Sequence, residues 1–142
     1  MNLDGLLYEH RLFIDSQYEG LAGLFCNLTG QKTSLTKDRF LLSNWYEGYL
    51  YTLLLGIRKN QRETYKGKKL DKAPKWSNNY IKQYKYAISL ILSRKDILNE
   101  LNLIDYPSIN LNERDMENIL DDVKKICDEF SNGGLLYLSH LF

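Results

Sequence analysis

The chemically versatile side chains of this sequence are few and scattered. His10 and His140 are its two histidines, and Cys26 and Cys127 its two cysteines. Acid–base, nucleophilic and metal chemistry each need such groups to converge in space. No HExxH, CxxC or HxxxH spacing occurs, so neither a zinc nor a di-iron centre has a ligand pattern. No glycine-rich phosphate loop and no GxSxG elbow occurs either. The sequence therefore implies no metal and no cofactor. The two cysteines fall on apolar helical faces far apart, the pattern of small buried hydrophobes.

Within "YEHRLFID", helical spacing puts His10 near Leu3, Leu7 and Ile14, at the edge of a core. With Glu9 and Asp15 it marks the one place for an atypical enzymatic site. Carboxylates pair more often than the histidines do. Glu117, Asp121 and Asp128 share one flank of a late helix, and Asp122 and Glu129 the other. Flanking an apolar stripe, they read as a solvated acidic face, with Lys124 and Lys125 in range of Asp121.

The most conspicuous feature is "RKNQRETYKGKKLDKAPKWSNNYIKQYKY", residues 58–86, with ten cationic and two acidic side chains. Its candidate binding residues are Arg58, Lys59, Arg62, Lys66, Lys68, Lys69, Lys72, Lys75, Trp76, Lys82 and Tyr86. Mobile lysines suit phosphate contact without sequence readout, and Trp76 is placed to stack on a base. Each part also has an ordinary reason to be basic. Arg58, Lys59 and Arg62 complement the dipole at a helix C-terminus, lysine-rich loops are commonly just solvated, and Trp76 is equally suited to plug the core under the loop.

Charge is distributed unevenly behind a net +1. Residues 1–56 carry a net −2, residues 57–95 a net +10 and residues 96–142 a net −7. The acidic third nearly balances the basic middle, so the acidic late helix is a natural partner for the basic stretch, within one molecule or across a dimer.

Four amphipathic segments must position these groups. The first spans about residues 3–28, with Leu3, Leu7, Ile14, Tyr18, Leu21, Phe25 and Leu28 on one face. The second, about 37–62 and capped by Ser34 or Thr36, is apolar nearly all round and so central. Gly48, Thr52 and Gly56 form a small-residue ridge on it, which predicts a tight crossing against Gly20, Ala22 and Gly23 of the first helix. Next comes a long, basic, mobile loop in which "KKLDKAP" reads as extended. The third helix covers about 78–92 from a Ser77 cap, with a kink and restart at Ser93. The fourth starts at an Asn112 cap, carries Met116, Ile119, Leu120, Val123, Ile126, Cys127 and Phe130 as its stripe, and ends at "SNGG", 131–134. "LLYLSHLF" then docks as a further short helix.

The predicted fold is all-α: one domain over 1–142, a four-helix core, mainly antiparallel, with a short additional C-terminal helix. No secretory leader and no run of the length of a membrane span is visible, which predicts a cytoplasmic protein with no membrane association. The best-fitting role is a non-catalytic accessory or adaptor domain that contacts an unidentified protein partner or forms a homodimer. Its many tyrosines and its apolar tail suit such an interface. The first alternative is sequence-nonspecific binding of nucleic-acid phosphates through residues 58–86, and the second an enzyme with its site near His10.

Overall fold

The computed structural model describes residues 7, 11–25, 44–73, 76, 78–104 and 112–141. Among them the chain is mostly helical, with one small sheet. Strand β1 is Leu12–Asp15, followed by a 3-10 turn over Ser16–Tyr18 and helix α1, Glu19–Phe25. Helix α2 is Trp45–Lys59, and strand β2 is Lys69–Ala73. Helices α3, α4 and α5 are Ile81–Leu92, Lys95–Glu100 and Glu113–Ser139. None of the described helices is long and apolar enough to cross a membrane.

The sheet corrects the all-α expectation. β1 pairs antiparallel with β2, with Phe13 opposite Asp71, Ile14 opposite Leu70 and Asp15 opposite Lys69. Residues 12–15 are therefore not part of a helix running from 3 to 28. Ile14 satisfies the helical spacing of Leu7 and Tyr18, yet Leu12 and Ile14 satisfy strand alternation, with both buried and Phe13 between them only partly so. The partner strand, more than fifty residues away, decides between the two. "KKLDKAP" is extended over 69–73, as expected, because it forms that partner.

The α2–α5 pair is the structural centre. α2 begins at Asn44, whose side chain accepts the Glu47 N–H at 3.0 Å, and ends at Asn60, a left-handed residue with φ 52°. The Ser34 and Thr36 caps lie outside the described residues. α5 begins at the expected Asn112, in a capping box with Asp115. It does not stop at "SNGG". It runs on to Ser139, so the tail is the same helix and not an additional one. The glycines serve packing. A Cβ on Gly56 would lie 1.8 Å from the Phe130 carbonyl oxygen, and one on Gly134 2.0 Å from that of Thr52. The Gly56 ridge thus crosses α5, not the first helix, and Thr52 Oγ1 meets Ser131 Oγ at 2.7 Å in the same seam.

One cluster of buried side chains joins α2, α3, α4 and α5 through Leu53, Tyr84, Ile91, Ile97, Val123 and Phe130. A second joins β1 to the end of α5 through Ile14, Tyr18, Ala22, Leu135 and Leu138. The expected break near Ser93 is present, between α3 and α4, although the N-cap of α4 is Arg94. α3 begins at Ile81 behind Tyr80, and Ser77 lies outside the described residues.

Candidate functional site

The segment between α2 and β2 is held at many points, which corrects the expectation of a mobile loop. The Asp15 carboxylate, fully buried, accepts the Lys66 and Gly67 N–H groups at 2.9 and 3.0 Å and the Gln17 N–H at 3.2 Å. Burial alone would push this carboxyl up, but these backbone donors together hold it below the usual carboxylate range. Glu63 N–H donates to the Glu129 carbonyl at 3.0 Å, and Tyr65 Oη to the Phe13 carbonyl at 3.0 Å. The Asn132 amide donates to the Glu63 and Thr64 carbonyls from α5. The basic segment is therefore draped over α5 as a fixed strap.

Several predicted binding cations are spent on contacts within the chain. Arg62 forms a two-pronged pair with Glu100, both bonds 2.7 Å, and reaches Glu129 at 2.9 Å. Lys66 pairs with Glu63 at 2.9 Å. Lys59 Nζ sits 5.0 Å from the centre of the Tyr137 ring. Trp76 is 3 % exposed and stacked on Tyr84 with ring centres 4.2 Å apart, beside Tyr46 and Tyr49. It is a plug of the core, with no face left for a base. Arg58 and Lys68 are exposed on either side of the strap. Lys82 and Tyr86 are exposed on α3, opposite its buried Ile81, Tyr84 and Ile88. Lys72 lies in β2, and Lys75, like His10 and Cys26, is outside the described residues.

Lys69 leads to a group that the sequence reading misplaced. Asp128, assigned to a solvated flank, is 3 % exposed. Its Oδ1 accepts the Tyr49 hydroxyl at 2.7 Å. Its Oδ2 accepts no hydrogen bond among the described residues, although Lys69 Nζ stands 3.5 Å away. Burial pushes this carboxyl up to about 6, against the pull of Tyr49, Lys69 and Lys124. The available signal was that residues 128, 131 and 135 share a second face of α5. Ser131 and Leu135 on it are both buried. The cavity nearest Tyr49, also lined by Phe13, Thr52 and Ser131, is only about 20 Å³, too small for a substrate. Cys127, buried, is pushed well above a normal thiol by burial, which makes it inert.

Comparison with protein-family models, with curated proteins and with solved structures finds no match to this chain.

A wider concavity among the described residues lies elsewhere, between α3, α4 and α5. It encloses about 460 Å³ and is lined by apolar side chains, among them Leu7, Ile88, Leu98, Ile104, Met116 and Ile119. Ile104, at 50 % exposure, stands at its lip. Glu117, Asp121 and Asp122 are exposed on the α5 turns that carry Met116, Ile119 and Leu120. A volume of this size suits a small ligand or a few side chains of a docked helix. Among the described residues no group of three or more metal-ligating side chains is found.

Proposed function

We propose that the chain is a non-catalytic interaction module that receives an amphipathic helix of a partner protein in the apolar cleft between α3, α4 and α5. The cleft itself carries this reading: Met116, Ile119 and Ile104 surround an apolar volume that is open among the described residues, which an ordinary surface does not do. The carboxylates beside it favour a partner helix with lysine or arginine next to its apolar anchors. In this reading the chain is one domain, with a four-helix, mainly antiparallel core, acting as an accessory subunit in the cytoplasm. The nucleic-acid alternative through residues 58–86 has less support, because Arg62, Lys66 and Lys69 face carboxylates of the same chain.

The test uses a labelled synthetic helix of leucine and lysine as probe. Binding should shift the methyl signals of Met116, Ile119 and Ile104. The substitutions Ile104→Glu and Met116→Glu should weaken it at least tenfold without lowering the melting temperature much. No binding at millimolar peptide, or binding indifferent to both substitutions, refutes the proposal. A concentration-dependent dimer dissolved by Ile104→Glu would assign the cleft to a second copy instead.

A further inference from the structure

Away from the cleft, cations from two separate elements meet at the Phe13 ring, with a third close enough to act on one of them. Lys69 Nζ of β2 lies 4.5 Å from the ring centre, and Lys124 Nζ of α5 lies 5.1 Å from it. Arg11, immediately before β1, belongs to the same group. Its charge and that of Lys69 both lower the proton affinity of Lys124, after the larger effect of burial. Arg11 is paired with Asp71 across the ribbon. Against these three positive charges stand three negative ones: Asp71, Asp121, which acts on Lys124 from the same helix, and the buried Asp128.

These counter-charges differ in kind. Asp71, with its side chain 40 % exposed, and the exposed Asp121 stay in contact with water. Asp128 sits behind Lys69, with one oxygen bonded to Tyr49 and the other accepting no hydrogen bond among the described residues. A carboxylate left half-satisfied in the interior is the one that gives up its charge most readily.

We propose that Arg11, Lys69 and Lys124 form a binding face for a phosphate group, with Asp128 as an internal counter-charge that protonation removes. With Asp128 ionised, three positive charges meet three negative ones and the face is balanced. With Asp128 protonated, one net positive charge remains, and Lys69 loses its inward attraction and turns to the ligand. A phosphate oxygen supplies the charge that the cluster lacks, and it relieves the repulsion among its three cations. The ring of Phe13 gives the two lysines a common platform.

The groups facing Asp128 fix where this change occurs. They are Tyr49 of α2, Tyr65 of the strap, Lys69 of β2, Tyr84 of α3, and Lys124 and Cys127 of α5. Asp15 of β1 acts on the same Tyr65, and Asp121 acts on Lys124. The three tyrosines and the thiol are all pushed above their ordinary values by burial, so they remain neutral at and below pH 8. Asp15 is held below the ordinary range and remains charged. Asp128 is thus the group of this set that changes charge as a neutral solution is made mildly acidic.

The experiment uses the full chain at low ionic strength, where surface charge is least screened. Two probes keep their own charge between pH 5 and 7.5: sulfate, a stand-in for a free phosphate dianion, and a twelve-residue oligothymidylate, a phosphodiester chain. Calorimetry and amide shifts around Phe13 report binding. The expected result is binding that tightens roughly fivefold as pH falls from 7.5 to 5, the effect of one added charge near the ligand. Asp128→Asn should bind at pH 7.5 as tightly as the unaltered chain does at pH 5, with little further pH dependence. This separates the effect of Asp128 from that of any other titrating group. Lys124→Gln and Lys69→Gln, two independent variants, should each weaken binding at both pH values. Binding of sulfate alone places the site with free phosphate, and binding of both probes places it with a phosphodiester chain. No binding of either probe at pH 5 overturns the proposal. So does a pH dependence that Asp128→Asn leaves intact.

Discussion

The backbone of Thr52 lies so near Gly134 that a single added carbon would fall 2.0 Å from the Thr52 carbonyl oxygen. Two helices distant in sequence are thereby fitted backbone to backbone, with Gly56 against Phe130 making the same fit one turn away. Gly133, beside it, faces the Gln61 carbonyl of the strap at the same 2.0 Å. Backbone cannot yield as a flexible side chain does. Gly134→Ala is therefore expected to cost about 3 kcal/mol or more in urea denaturation, since the helices must separate. Gly20→Ala is the control. It has nothing within 4 Å of the new carbon and lies in α1, so it should stabilise by just under ~1 kcal/mol. Equal stability of the Gly134→Ala chain and the unaltered one would contradict this packing.

Asp15 and Asp128 give the stability opposite pH dependences. Asp128 is raised to about 6, so between roughly pH 4 and 6 the folded chain holds a proton that the unfolded chain releases. Its effect is a loss of stability as pH rises through that window. Asp15 is lowered, so its contribution is present above the ordinary carboxylate range and is lost as pH falls through its depressed value. The expected profile has its maximum near pH 4, at about the ordinary carboxylate value, and declines on both sides. Asp128→Asn should remove the decline on the alkaline side and raise stability at pH 7.5 by on the order of 2 kcal/mol. Thermal melts from pH 3 to 8 on both chains check it, and a variant less stable at pH 7.5 would show that the ion pair with Lys69 outweighs the burial.

Arg62 joins the strap to both α4 and α5 through Glu100 and Glu129. Its side chain is 29 % exposed and also lies 5.8 Å from the Phe130 ring centre. The planar fork matches Glu100 in a way that an ammonium cannot. Arg62→Lys is expected to cost about 1 kcal/mol at low salt, with the difference shrinking in 1 M salt. An Arg62→Lys chain with unchanged melting temperature at both salt concentrations would remove the fork from the account.

Local and periodic features of this protein were readable from its sequence. The Asn112 cap, the apolar stripe from Met116 to Phe130, the pause near Ser93 and the extended "KKLDKAP" each depend on neighbours within a few residues. So does the use of Gly56 and Thr52 in a close crossing, since small residues one turn apart announce a tight contact. What they cannot announce is the partner, and that is where tertiary structure took over. Gly133 and Gly134 read as a helix end because glycine favours one, yet the close approach of Thr52 and Gln61 holds them inside α5. Ile14 fits a helical face with Leu7 and Tyr18 as well as a strand with Leu12, and pairing with residues 69–73 makes it a strand. Trp76 suits a base or a core plug alike and Asp128 reads as a surface residue by context, and each is buried because distant elements close over it. The basic stretch followed the same rule. Its charge was set by the sequence, but whether each cation met water or a carboxylate depended on where the strap crossed α5.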